Sequence, residues 1–323
     1  MRKRMALMIL LLSVCFFFAP SGQFAVLALE RVLLASPSHG FFEFPVVVAQ
    51  RKGYFADEGL DLGKVQMQPQ LTVKVLVSGD ADYNLAWGST MRAAVTGVPV
   101  KAIASLASRP LHILMARPEI RSGKDLKGKT LGVDSIAGDV EYLTRAAATH
   151  FGLDPDKDIK IIVTGESPLR LAALRAGAID ATAIDVAYVG KAEEEGLRRI
   201  VYLGDIIELP LTGIGVGVSK LTKDREQVKK VIRAALRGTR FMKQNRADTV
   251  QLMTEYLGIT LPQAGRAYDT SINSFTDDGF VSDKGLLLGV QLARERLKIS
   301  KEIPPSQVVD LSLVKEIRER SGR

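Results

Sequence analysis

Two stretches of this chain repeat one another at an offset of 98 residues (79 to 177, 82 to 180), and that repeat constrains the fold more than any other feature. In the first, Leu76-Val77-Ser78-Gly79-Asp80-Ala81-Asp82 runs into Tyr83-Asn84-Leu85-Ala86-Trp87. In the second, Leu174-Arg175-Ala176-Gly177-Ala178-Ile179-Asp180 runs into Ala181-Thr182-Ala183-Ile184-Asp185. Each copy stops a helical run at a glycine, which accepts the left-handed conformation that closes a helix. An aspartate follows three residues later. Then comes a short apolar strand with no polar face, as in a parallel sheet covered on both sides. Each strand breaks into a new helix, through Gly88-Ser89-Thr90 in the first copy and from Asp185 in the second. One helix–strand–loop unit used twice predicts two similar α/β lobes. Ligands of open α/β sheets bind beyond the carboxyl ends of the strands. Trp87-Gly88-Ser89 and Asp185-Val186 therefore fall at binding positions, one set per lobe.

The amino terminus reads differently. Arg2-Lys3-Arg4 precedes an almost unbroken apolar run over 6–19, and Val26-Leu27-Ala28 fits a small-residue cleavage site. This is the pattern of a secretory signal, predicted to be cleaved after Ala28. The alternative is an uncleaved anchor, for which the run is short. Cys15, the only cysteine of the 323 residues, lies in this segment. Lipidation is its alternative fate, although Val14 stands where a lipobox prefers a small residue. Either way the mature chain carries no free thiol, which excludes disulfides, thiolate metal sites and thiol nucleophiles. Removing Arg2, Lys3 and Arg4 lowers the net charge from +8 to +5. The remaining basic residues are interleaved with acids, as in Asp224-Arg225-Glu226, which describes a solvated face rather than a nucleic-acid site.

Taken in order, the pattern predicts strands over 30–35, 64–67, 100–105, 111–116, 130–133, 159–163, 199–202 and 212–219, with helices between them and mostly helices afterwards. Strand and helix alternate, so the sheets are expected to be largely parallel. Crossings near Leu111 and near Ile214 divide the chain into lobe I (29–110 and 216–323) and lobe II (111–215), joined by a two-strand hinge.

Several motifs carry a resemblance. Lys52-Gly53-Tyr54-Phe55-Ala56-Asp57-Glu58-Gly59-Leu60-Asp61, Gly79 to Asp82, Asp125-Leu126-Lys127-Gly128-Lys129 and Leu174 to Ala181 occur in this order behind the signal. In that order they resemble the periplasmic solute-binding proteins of ABC importers for sulfonates, taurine, nitrate and thiamine-precursor pyrimidines, over nearly the whole mature chain. The resemblance implies a two-lobed class II periplasmic-binding-protein fold that closes on a small solute and delivers it to separate permease and ATPase chains. It implies a periplasmic monomer without cofactor, metal or catalytic residues. A thiamine-precursor binding protein is the alternative within that class. An enzyme on the same fold is a further one, although the pyrimidine synthases of this kind carry a cysteine-rich motif absent here. No Gly-rich phosphate loop ending in Gly-Lys-Ser/Thr is present, so the chain is not expected to hydrolyse ATP.

For the solute itself, helix starts that carry partial positive charge and free N–H groups suit a small anion. Those starts follow Ser38-His39, Trp87-Gly88-Ser89, Ser135 to Gly138, and Asp185. Ser89, Thr90 and Ser135 offer hydroxyls, and are equally explained as helix caps. Trp87 either packs on a ligand or is buried at a sheet end. Phe41 and Phe42 together leave an apolar surface to be covered, and so suggest an organic portion to the ligand. Arg109 is the cationic candidate, with a surface role as its alternative. Asp185 is a helix cap or a partner for an amine. His39 and His112 read as structural or solvated, and the spacing of the three histidines gives no metal site.

Overall fold

The computed structural model describes residues 28–37 and 39–321. The expected signal, its cleavage site, Cys15 and Ser38 lie outside the described residues, except that Ala28 begins them.

The two repeat aspartates do one job twice. Asp82 accepts the Leu33 backbone N–H on Oδ2 at 2.7 Å, while its own N–H donates to the Leu33 carbonyl at 2.9 Å. Asp180 accepts the Thr130 N–H at 2.8 Å and returns a bond to the Thr130 carbonyl at 2.7 Å. Each aspartate thus clamps a neighbouring strand of its sheet. Gly79 and Gly177, at φ 85° and 71°, turn the preceding helix into that clamp.

Among the described residues ten strands build two five-stranded sheets. The first contains β1 (Glu30–Ser36), β2 (Leu60–Gln66), β3 (Tyr83–Asn84), β4 (Val100–Ala107) and β10 (Thr212–Gly217) in the order β2-β1-β3-β10-β4. The second contains β5 (His112–Ala116), β6 (Thr130–Val133), β7 (Lys160–Val163), β8 (Ala181–Asp185) and β9 (Arg198–Tyr202) in the order β7-β6-β8-β5-β9. The orders match position for position: β6 to β9 answer β1 to β4 from 98 to 100 residues later, and β5 takes the place that β10 holds in the first sheet.

Each sheet is mixed, with two parallel and two antiparallel pairings where largely parallel sheets are expected. β10 runs antiparallel to β3 and β4, and β5 runs antiparallel to β8 and β9. These are the strands that enter each lobe after a crossing, so the crossing reverses the chain. Sequence alternation cannot show that reversal. Two boundaries also move. β2 begins at Leu60, four residues before the expected strand, and β10 lies wholly in the first sheet. The return crossing therefore falls within 203–211, earlier than the expected change of lobe at 215/216.

Helices flank both sheets. The helix Arg225–Gln244 packs on the helix Phe44–Arg51, where Gly238 lets the Pro45 carbonyl approach closely. The helix Asp283–Leu297 serves both lobes: Leu286 and Val290 pack with Trp87 and Met91, while Leu288 and Leu292 pack against the core of the second sheet. The helix Leu261–Ser271 crosses onto lobe II as well, with Gln263 donating to Glu194 at 2.9 Å. The largest core cluster joins Val32 and Leu34 of β1 to Ile113 and Ile184 of the second sheet. The lobes are thus fused on one side and face each other across a cleft on the other. No helix among the described residues is long and apolar enough to cross a membrane.

Candidate functional site

The cleft between the lobes encloses about 720 Å³. That is the size of pockets that take small organic ligands. Lobe I contributes Pro37, His39 and Phe42 from the loop after β1, Leu71 and Lys74 from the helix Pro69–Ser78, and Leu85. Lobe II contributes His112, Asp134, Ser135, Asp139, Val140, Glu166, Arg170 and Asp185, and the return crossing adds Leu211. His112, Asp134, Ser135, Asp139 and Asp185 sit at strand ends and helix starts, as open α/β sheets dictate, and Lys74 and Arg170 reach in from within their helices.

Besides Asp139 Oδ1, which is ion-paired with Arg92 at 2.6 Å, two polar atoms of lining residues are buried and have no hydrogen-bond partner among the described residues: Ser135 Oγ and His112 Nδ1. A buried polar atom left unpaired costs free energy. Both belong to residues that line the cleft. Burial, with the charge of Arg170 nearby, pushes His112 down to about 3, so its ring is neutral at physiological pH and can accept as well as donate.

Arg170 is committed to the protein. Its guanidinium donates to the Ala183 carbonyl at 3.2 Å, to Ser167 Oγ at 2.9 Å and to the Gly165 carbonyl. Burial lowers it to about 10, and Asp134 and Asp185 oppose that shift. Asp134 is itself raised, chiefly by burial. Asp185 is pushed up to about 6 by burial, against the pull of the Ala187 and Phe41 N–H groups. As the start of the helix Val186–Glu194 it caps Ala187 at 2.9 Å. Across the cleft it accepts the Phe41 N–H at 3.2 Å on Oδ2. A second bond crosses nearby, from Tyr188 Oη to the His39 carbonyl at 3.2 Å. Behind His39 lies a buried carboxylate: Glu43 pairs with Lys64 at 2.8 Å and accepts from Tyr256 Oη at 2.8 Å, and His39 Nδ1 is 3.2 Å away.

Of the residues expected from sequence, His39, Phe42, Ser135 and Asp185 line the cleft. Ser38 lies outside the described residues. The others stand elsewhere. Trp87 is fully buried at the first turn of the helix Trp87–Val95, in a core cluster with Met91 and Val290. The helix begins at Trp87 itself, so the indole belongs to its packed first turn. Phe41 is covered by Phe44 and Phe275, at ring distances of 5.4 and 5.2 Å, so only Phe42 leaves an apolar face for a ligand. Thr90 is buried and donates to Asn84 Oδ1 at 3.0 Å. Ser89 accepts from Arg92 at 3.0 Å. Gly88 faces Asp139 and Leu211 rather than the cavity itself. Gly138 caps the helix Asp139–His150. Arg109 donates to the Gly204 carbonyl at 3.0 Å and secures the crossing.

His112, Asp134, Asp139, Glu166 and Arg170 were not singled out by sequence as ligand groups. The position of His112 opposite Asp185 in the β5–β8 pairing could have been found had β5 been recognised as antiparallel. Among the described residues no group of three or more His, Cys, Asp or Glu could hold a metal ion.

The family model described as NMT1/THI5 like matches residues 42–248, the span that builds most of this cleft. The chain belongs to the NMT1/THI5-like family. A Bacillus subtilis protein named for a binding role, YtlA, is 24% identical over 307 residues, 90% of each chain. The riboflavin-binding protein RibY of Chloroflexus aurantiacus is 26% identical over 254 residues, 74% of this chain and 69% of its own. A 4-amino-5-hydroxymethyl-2-methylpyrimidine phosphate synthase of Saccharomyces cerevisiae, THI5, is 30% identical over 122 residues, 36% of this chain and 35% of its own. Among solved structures, the alkanesulfonate-binding protein SsuA of Xanthomonas axonopodis pv. citri superposes with a TM-score of 0.74 at 16% identity, covering 88% of this chain and 99% of that one. The fold is that of the periplasmic binding proteins.

Proposed function

We propose that this chain is an extracytoplasmic solute-binding protein of an ABC importer. It acts as a monomer, closes on one small organic molecule and releases it unchanged to a permease. One observation carries the reading: the cleft of about 720 Å³ is walled by residues of both lobes and lined by polar and charged side chains, Ser135, His112 and Asp185 among them, beside apolar ones such as Phe42 and Leu85. The family and the binding-protein names of YtlA and RibY support it. Lobe I is taken as 29–110 with the carboxyl-terminal segment, and lobe II as the segment between the two crossings.

The solute is a small organic anion with an apolar portion, of the sulfonate, taurine or related acid class. The helices Asp139–His150 and Val186–Glu194 start at or directly after the cleft-lining residues Asp139 and Asp185, and helix starts carry partial positive charge. Phe42, Leu85, Val140 and Leu211 line its apolar part. A second reading, an amine-bearing solute such as an aminopyrimidine, is favoured by a different observation: Asp134, Asp139, Glu166 and Asp185 all line the cavity.

Thermal melts of residues 29–323 against alkyl and aryl sulfonates, taurine, nitrate, aromatic carboxylates and aminopyrimidines test both. A ligand present at about 100 times its Kd stabilises by roughly 2.7 kcal/mol, a shift of several degrees. A response to sulfonates or carboxylates supports the first reading, and one to aminopyrimidines the second. No response, with no co-purified small molecule in native mass spectra, contradicts the solute-binding role.

A further inference from the structure

Asp139 stands between the solute cleft and Arg92. It lines the cleft from lobe II, at the first residue of the helix Asp139–His150. Its Oδ1 lies 2.6 Å from Arg92 Nη2, which belongs to the helix Trp87–Val95 of lobe I. The Arg92 guanidinium lies 4.7 Å over the Tyr142 ring of lobe II and donates to Ser89 Oγ at 3.0 Å. The Arg92 side chain is only 11% exposed. A Cβ added at Gly88 would come within 2.5 Å of Asp139 Oδ1, so the carboxylate is lodged against the first turn of the lobe I helix.

A nearly buried guanidinium is costly without a negative partner. Here the starts of two helices add to the positive potential at the same spot. The protein fills that spot with its own carboxylate, which also faces the cavity. We infer that Arg92 is the anion-reading residue of the cleft and that Asp139 is a built-in competitor for it, so that this pair sets the charge preference for the solute. The inference rests on the solute-binding reading above. An incoming sulfonate or carboxylate has to displace Asp139 from Arg92. An amine-bearing solute leaves the pair closed and meets Asp134, Glu166 and Asp185. The two readings of the solute thus reduce to one question, whether the Arg92–Asp139 pair opens.

The test is a titration of the purified protein, D139N and D139N/R92M with an aryl sulfonate and with the sulfonamide of the same skeleton. Taking the ratio of the two affinities cancels any general effect on lobe closure. D139N is expected to shift the ratio toward the sulfonate by about tenfold or more, the size of one charge interaction near a protein surface. Adding R92M is expected to abolish the gain. D139S provides the same reading should D139N fold poorly. An unchanged ratio in D139N, a gain that survives R92M, or binding of neither compound by D139N overturns the inference. If another solute still binds the wild type, the inference alone fails. If nothing binds any variant, the solute-binding reading fails with it.

Discussion

The backbone N–H of Phe41 donates to the Asp185 carboxylate across the cleft, 3.2 Å from Oδ2. Asp185 is 4% exposed, and burial holds its carboxyl at about 6, above the ordinary 3.8. The folded protein therefore binds this proton more tightly than the unfolded chain does. Its stabilising contribution is complete below pH 3.8 and is lost as pH rises through about 6, up to about 3 kcal/mol in all. D185N keeps an oxygen for Phe41 and Ala187 but cannot ionise. Thermal melts of both proteins between pH 4 and pH 7 should show the wild type losing stability relative to D185N as pH rises. Parallel pH profiles would contradict the account.

His112 lines the cleft with a neutral ring whose buried Nδ1 has no partner among the described residues. H112L keeps much of the volume and removes both nitrogens. Losing one hydrogen bond to a solute costs about 1–2 kcal/mol, a loss of roughly tenfold in affinity. Isothermal titration with the best solute of the panel reads this directly, and unchanged affinity would remove His112 from the site.

Asp82 and Asp180 clamp equivalent strands in different lobes, so their loss should be equal in kind and independent. D82A and D180A are each expected to cost about 2 kcal/mol, because each leaves a strand N–H without its charged acceptor. Being far apart with no shared partner, they should add to within about 0.5 kcal/mol in the double variant. Urea denaturation of the three variants checks both statements.

Gly238 sits where the helix Arg225–Gln244 meets the Pro45 carbonyl, and an added Cβ would overlap that oxygen. The obstacle is backbone, which cannot swing aside. G238A is therefore expected to destabilise by about 3 kcal/mol despite alanine's better helix propensity. A melting temperature equal to that of the wild type would show that the two helices can part at little cost.

The fold was legible because its signals are local. Gly79 and Gly177 stop helices through their own backbone freedom, and Asp82 and Asp180 recur at fixed spacing before apolar strands. The site was legible only where a residue's neighbours in sequence are also its neighbours in space. Asp185 and Ser135 sit at the helix starts that the pattern marks. Phe41 was misplaced because Phe275, which covers it, lies far along the chain. For Trp87 the sequence leaves ligand contact and burial equally open, because the helix Asp283–Leu297 that buries it lies outside its own unit. Arg170 and Asp134 converge on the cleft from different helices and loops, and no spacing rule joins them to His112. Strand reversal at the two crossings is likewise a property of the lobes' arrangement, which alternation of strand and helix does not encode.

The central claim is that one solute is held between the two lobes, and amide hydrogen exchange with a saturating panel solute tests it most directly. The account predicts slower exchange on both walls at once: around His39 to Glu43 in lobe I, and around Asp134 to Val140 and Ser167 to Arg170 in lobe II. Protection confined to one lobe, or to the outer helices away from the cleft, would contradict it.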